Sequence, residues 1–231
     1  MNEHALSDRL ACVGAYVPDQ ARLADIGSDH AYLPVALMLQ NKISYAVAGE
    51  VVEGPYRSAS KQVQKNRLGD SITVRLANGL AAILPEDQID TVVIAGMGGP
   101  LIRTILEEGQ AKQQLTNVKR LILQPNVGEW PLRVWLQDNG YQIIEETILS
   151  ENDKQYEIIV AEPGQRNYSK QELFFGPRLI QEKNAVFQKK WHHELQQKYR
   201  VIDSLQKANK PQVEKITALK EQIRWIEEVL A

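Results

Sequence analysis

The chain has 231 residues, 43% of them hydrophobic, enough for one sizeable core and a second small unit. No stretch approaches about twenty consecutive apolar residues, and residues 1–15 lack a basic start followed by an apolar signal core, so membrane-spanning and exported classes are excluded and a cytoplasmic protein is expected. The net charge of −2 hides a split: residues 1–164 carry 14 Lys and Arg against 21 Asp and Glu (−7), residues 165–231 carry 13 against 8 (+5), and the single cysteine, Cys12, rules out an internal disulfide or a cysteine-rich zinc site.

Arg9 lies in a predicted amphipathic first helix, where it can reach a cofactor carboxylate, an RNA phosphate or a surface carboxylate. Next comes a short apolar run, Ala21 to Ile26, that enters Asp25-Ile-Gly-Ser-Asp-His30; Gly27 permits a tight turn, and Ala31 to Leu39 has helix-forming composition. This strand, turn and helix bring a ligand against bare backbone. Asp25 and Asp29 surround the turn with negative charge, which suits a cationic ligand such as S-adenosylmethionine better than a pyrophosphate. A dinucleotide fingerprint would need three glycines, and only Gly27 is present.

Ser44–Gly49, Ile72–Leu76, Thr91–Ala95 and Arg120–Leu123 read as further buried parallel strands, each flanked by helix. Their carboxyl ends carry the candidate ligand groups. Glu50 can accept hydrogen bonds from both ribose hydroxyls; Asn78 can pair with the adenine edge while Gly79 turns the chain past it; Gly96-Met97-Gly98-Gly99 lets backbone crowd the reaction centre. Gln124 and Asn126 follow the fifth strand, where their amides can read the adenine edge. Gln142–Leu149 and Tyr156–Glu162 have strand composition with no helix between them, so an antiparallel hairpin should close the sheet's edge. The fold expected is α/β, a Rossmann-like class I methyltransferase sheet of five parallel strands plus that hairpin.

The tail reads as helical. From Pro211 on, Ile216, Leu219, Ile223, Ile226 and Leu230 recur at spacings of 3, 4, 3 and 4, a coiled-coil seam. A helix from about Arg178 to Lys207 offers Val186, Leu195, Tyr199, Ile202 and Leu205, and Asn209-Lys210-Pro211 breaks the two apart. Trp191 and Trp225 are expected to pack, and His192-His193 lacks companion ligands, so no metal site is expected.

Taken together, Leu6-Ser-Asp-Arg-Leu10, Asp25-Ile-Gly-Ser-Asp-His-Ala-Tyr-Leu-Pro34, Gly49-Glu50, Asn78-Gly79, Gly96-Met-Gly-Gly99, Gln124-Pro-Asn126 and Tyr156-Glu-Ile158 resemble the bacterial tRNA (adenine-22-N1)-methyltransferase family over nearly the whole chain. The resemblance implies an S-adenosylmethionine-binding domain (residues 1–164), a helical coiled-coil domain that helps to engage tRNA (165–231), and methyl transfer to N1 of adenine at tRNA position 22. No obligate protein partner is evident. Asp29 is the first candidate for stabilising charge on the base, with Gln124 and Asn126 beside it; Arg9, Asp25, Gly27, His30, Glu50, Asn78, Gly79, Gly96, Met97 and Gly98 would hold the cofactor, and Tyr32 and Tyr156 would stack on a flipped base. Other readings are a methyltransferase acting on another RNA or a small substrate, and a cofactor-sensing RNA-binding protein without transfer activity.

Overall fold

The computed structural model describes residues 6–207 and 212–231. In chain order they form α1 (Asp8–Ala15), β1 (Ala21–Ile26), α2 (Tyr32–Leu39), β2 (Ile43–Glu50), α3 (Glu53–Lys65), β3 (Ile72–Leu76), β4 (Thr91–Met97), α4 (Gly99–Ala111), β5 (Arg120–Pro125) and α5 (Glu129–Asp138). There follow β6 (Tyr141–Glu151), β7 (Lys154–Pro163), α6 (Lys170–Phe175), α7 (Leu179–Glu182), α8 (Ala185–Gln206) and α9 (Val213–Leu230). All seven strands join one sheet in the order β3-β2-β1-β4-β5-β7-β6. The first five pair in parallel, while β7 runs antiparallel to both β5 and β6, so the predicted hairpin does close one edge, with its second strand inserted against the parallel block.

The central strands β1, β2, β4 and β5 are largely apolar and buried because helices cover both faces of the sheet. Alternate residues point to opposite sides: Ala24, Ile26, Val92, Ile94 and Leu121 enter one core with Ile102 and Leu106 of α4 and Leu132 and Leu136 of α5. Leu23, Ala46, Val93 and Ile122 enter the other, with Val13 of α1, Leu33 and Leu37 of α2 and Val63 of α3. Each buried Leu or Ile contributes about 1.5–3 kcal/mol, so the two-sided core dominates stability and holds the strand ends in place.

Beyond the sheet, Phe174, Phe175, Leu179, Phe187, Trp191, Trp225, Ile226 and Val229 form a third cluster, closed against Ile148 of β6. Trp191 and Trp225 pack there, as expected. The helix expected from Arg178 instead begins at Ala185. Lys183 adopts a left-handed φ of 46° that ends α7, and the Asn184 side chain caps α8 by accepting from the backbone N–H groups of Val186 and Phe187. The buried positions of α8 are Phe187, Trp191 and Ile202, with Leu195 partly covered, while Tyr199 is exposed and binds Glu227 through its hydroxyl. On α9 the buried positions are Ile223, Trp225, Ile226 and Val229. Lys198 to Gln222 (2.9 Å) links the two helices. The expected break at 209–211 lies outside the described residues.

An ionic network fastens this helical part to the sheet. The fully buried Arg133 of α5 donates from Nε to Glu146 Oε1 (2.7 Å) and from Nη2 to Glu157 Oε2, and Lys190 of α8 bridges Glu157 (2.7 Å) and Glu129 (2.6 Å). Gly176, at φ 95°, leaves room for it: a Cβ would lie 2.8 Å from both Arg133 Nη2 and Glu146 Oε2. Burial pushes the Glu157 carboxyl up, but Lys190 and Arg133 outweigh it and hold the group below its usual range.

Candidate functional site

Strand order reverses at β1, which has β2 on one side and β4 on the other, and such a switch point opens a crevice at the carboxyl ends of the strands. A cavity of about 240 Å³ lies there, lined by Arg9, Asp25, Gly27, Asp29, Gly96 and Met97 together with Leu10, Ser28 and Ala95. Six of the residues expected to hold ligand or act on it are thus gathered in one place.

The loop after β1 is strained. Gly27 (φ 70°) is followed by three successive non-glycine residues in the left-handed region, Asp29 (43°), His30 (70°) and Ala31 (56°). Such residues cost on the order of 1–3 kcal/mol each and persist where the surroundings hold them, commonly at ligand sites. Here the hold comes from the Gly27 and Ser28 N–H groups, both donating to the Gly49 carbonyl, and from Ser28 Oγ, which donates to Asp25 Oδ2 at 2.5 Å. A Cβ on Gly27 would run into Met97 Cε, so glycine lets the end of the Met97 side chain pack directly over the loop backbone.

Asp25 is buried at the end of β1. Burial pushes its carboxyl up to about 7, with the charges of Glu50 and Asp29 adding to the rise and the Ser28 hydroxyl opposing it. A folded value above the unfolded one, roughly 3.9, means that the folded protein retains a proton which the unfolded chain has lost, so stability falls as pH rises from about 4 to 7. Asp25→Asn is therefore expected to raise the melting temperature of the ligand-free protein at pH 8 by several degrees, with little change at pH 4. The same substitution should weaken binding of a cationic ligand about tenfold. Thermal denaturation at the two pH values and calorimetric titration check both effects.

The ends of β4 and β5 are interlocked. Gln124 is fully buried with both amide functions engaged: Oε1 accepts from Arg9 Nη1 (2.5 Å) and Gly96 N (3.0 Å), and Nε2 donates to the Pro125 carbonyl (2.9 Å) and Asn126 Oδ1 (3.2 Å). Nothing on this amide is left for an adenine edge, which corrects the direct reading role expected for Gln124. Asn126 is exposed and donates to the Gly96 carbonyl at 2.7 Å, so it stands at the cavity mouth with hydrogen-bonding capacity remaining. Gly98 opens α4, and Gly99 N donates to the Val127 carbonyl at 2.7 Å; a side chain on Gly99 would strike the Gly128 carbonyl.

The remaining expected residues sit around this centre. Arg9 lies over the Tyr156 ring, 5.3 Å from its centroid, which brings Tyr156 to the rim. Tyr32 stacks on His30 at 5.3 Å, and His30 lies 3.5 Å from Asp29; both rings stand beside the cavity and do not line it. Glu50 ends β2 buried, accepts from the Asp29 backbone N–H, and keeps one carboxylate oxygen, Oε1, without a partner among the described residues. At the neighbouring strand end, Ala77 N donates to the Glu50 carbonyl (2.7 Å), placing the exposed Asn78 and Gly79 (φ 54°) next in line.

This donor set fits S-adenosylmethionine. A buried, unsatisfied carboxylate oxygen asks for hydroxyl donors such as those of a ribose, and three carboxylates (Asp25, Asp29, Glu50) about one loop favour a sulfonium and an ammonium over a phosphate. The roles of Ser28 and of the Val127–Gly128 turn went unread in the sequence. A serine three residues after the strand-end aspartate was the available signal for the first; none existed for the second. Among the described residues no group of three or more His, Cys, Asp and Glu could hold a metal ion, and no helix is long and apolar enough to cross a membrane.

Known proteins resemble this chain over nearly its whole length. The sequence profile of the family described as TrmK, tRNA (adenine(22)-N(1))-methyltransferase, matches residues 23–228. The tRNA (adenine(22)-N(1))-methyltransferase of Bacillus subtilis is 43% identical, covering 100% of this chain and 99% of its own length. Among solved structures, Streptococcus pneumoniae Sp1610 in complex with S-adenosyl-L-methionine superposes with a TM-score of 0.90 at 48% identity, over 98% of this chain and 100% of that one. Mycoplasma capricolum TrmK in complex with S-adenosyl-homocysteine gives 0.86 at 28% identity, over 98% of each chain. Sequence and fold agree: this chain belongs to the tRNA (adenine(22)-N(1))-methyltransferase family.

Proposed function

We propose that this chain transfers a methyl group from S-adenosyl-L-methionine to N1 of adenine at tRNA position 22. The observation that carries the reading is the union of full-length family membership with a switch-point cavity lined by Arg9, Asp25 and Asp29, with the buried Glu50 at the neighbouring strand end. When bound, the cofactor supplies an electrophilic sulfonium methyl, and attack by the N1 lone pair forms the C–N bond as the S–C bond breaks, leaving a cationic base and neutral S-adenosylhomocysteine.

Positioning dominates the chemistry of the protein's own groups, since N1 needs no deprotonation; orienting two bound reactants contributes roughly 7–11 kcal/mol. Glu50 accepts from the ribose hydroxyls, Asn78 and Gly79 border the adenine of the cofactor, and Gly27, Met97 and Gly98 shape the floor. Asp25 and His30 hold the first loop, which sets the direction of the Asp29 carboxylate. Gln124 acts as a positioning residue: it fixes Arg9, Gly96 and Asn126, leaving Asn126 to orient the target base. Tyr156, held by Arg9, offers that base a face, with Tyr32 on the His30 side. Asp29 offsets the positive charge that develops on the base.

Residues 165–231, with their basic excess, form the helical unit that engages tRNA phosphates, α8 and α9 pairing as a short coiled coil, and the enzyme works in the cytoplasm without an obligate protein partner. Asp29→Ala is expected to lower kcat about 100-fold while cofactor affinity changes less than threefold. Single-turnover methylation and calorimetric titration of the variant test this; equal losses in binding and turnover would make Asp29 a cofactor ligand only.

A further inference from the structure

A second cavity, of about 360 Å³, lies between the β5–α5 turn and α8, lined among others by Asn126, Trp130, Gln155, Trp191, His193 and Lys198. We infer that it receives a nucleotide adjacent to the target adenine, its base held between aromatic side chains and the amide and imidazole groups of the rim. This rests on the tRNA methyltransferase reading above.

Three observations support it. The cavity begins where the methyl-transfer site ends, because Asn126 borders it while binding the Gly96 carbonyl, and the adjoining Val127 carbonyl accepts from Gly99. Its lining combines ring surfaces with neutral hydrogen-bonding groups, the pairing that single-stranded RNA bases select through stacking and edge contacts. Its charge is nearly balanced: Lys190 is spent on Glu129 and Glu157, and Lys198 faces Glu194 at 3.9 Å, so the chamber suits a base better than a phosphate. The Lys190 bridges also fix α8 against the turn, so the cavity is formed before the RNA arrives. Extruding adenine 22 costs a few kcal/mol of stacking and pairing, and capturing its neighbour offsets part of that cost while holding the strand open.

The test is a cycle of RNA and protein changes. Single abasic nucleotides are introduced at tRNA position 21 or 23, and kcat/KM is compared for wild type and a Gln155→Ala, His193→Ala double variant, two side chains that take no part in the apolar clusters. One abasic site should cost wild type about tenfold. The double variant should lose a similar factor on intact tRNA and no more on that abasic tRNA, with melting temperature and cofactor affinity unchanged. Trp130→Leu, with folding checked by melting temperature, should repeat the pattern. Additive losses, or no loss at either abasic position, overturn the inference. Failure of wild type to methylate intact tRNA at adenine 22 would instead overturn the reading on which it stands.

Discussion

Replacing Glu50 by alanine is expected to weaken S-adenosylhomocysteine binding about 100-fold, the loss of one to two hydrogen bonds to a charged acceptor at roughly 1.5–3 kcal/mol each. Replacing it by glutamine should at the same time make the ligand-free protein more stable. Both follow from one geometry. Glu50 is buried at the end of β2, burial pushes its carboxyl above the usual range, and the nearby Asp29 charge adds to that rise against the Asp29 N–H and His30. Its Oε1 has no partner among the described residues, so the folded protein presents a buried acceptor open to a ligand's donors. Calorimetric titration and thermal denaturation of the two variants measure the opposing effects. Unchanged affinity in Glu50→Ala, or a lower melting temperature in Glu50→Gln, would remove Glu50 from the cofactor site.

Arg133→Met should cost about 3–5 kcal/mol of folding stability at pH 7. The substitution strands two carboxylates, Glu146 and Glu157, in a place that water does not reach; of the two, Glu157 retains Lys190 and Glu146 only the Arg178 N–H at 2.9 Å. The pH dependence has a definite sign. In the wild type the folded value of Glu157 lies below its unfolded value of roughly 4.3, so its contribution is present above that pH and is lost as pH falls through the folded value. In the variant the stranded carboxylates bind protons more readily than in the unfolded chain, so the deficit should shrink between pH 7 and pH 5. Urea denaturation at the two pH values measures it. A deficit below about 1 kcal/mol, or one that grows on acidification, would show that the network does not fasten α8 to the sheet.

What the sequence made legible was the part governed by local pattern. Parallel strands covered on both faces are largely apolar runs, and their carboxyl ends are marked by Ile26-Gly27, Gly49-Glu50 and Ala95-Gly96-Met97, so strands, hairpin and most site residues could be read in order. The start of α8 was also locally encoded, since Asn184 before Ala-Val-Phe is a capping signal, yet the continuous helical composition from Arg178 masked it. The seam of α8 misled for another reason: Tyr199 fits the apolar period but faces water and Glu227, while Phe187 and Trp191 fill the core beside Phe174 and Phe175. Other features exist only in three dimensions. The Arg133 network joins residues 13, 24 and 33 positions apart in the chain, and Gln124 reads as a base-contacting amide until its four partners are seen. The left-handed run Asp29–Ala31 is imposed by the β2 end against which the loop folds.

The most direct measurement is nucleoside mass spectrometry of unmodified tRNA after incubation with the protein and labelled S-adenosyl-L-methionine, alongside the same tRNA with guanine in place of adenine 22. The account predicts one labelled 1-methyladenosine per tRNA in the first and no label in the second. Label at another position or on another base, or no transfer from a protein that binds the cofactor, would contradict it.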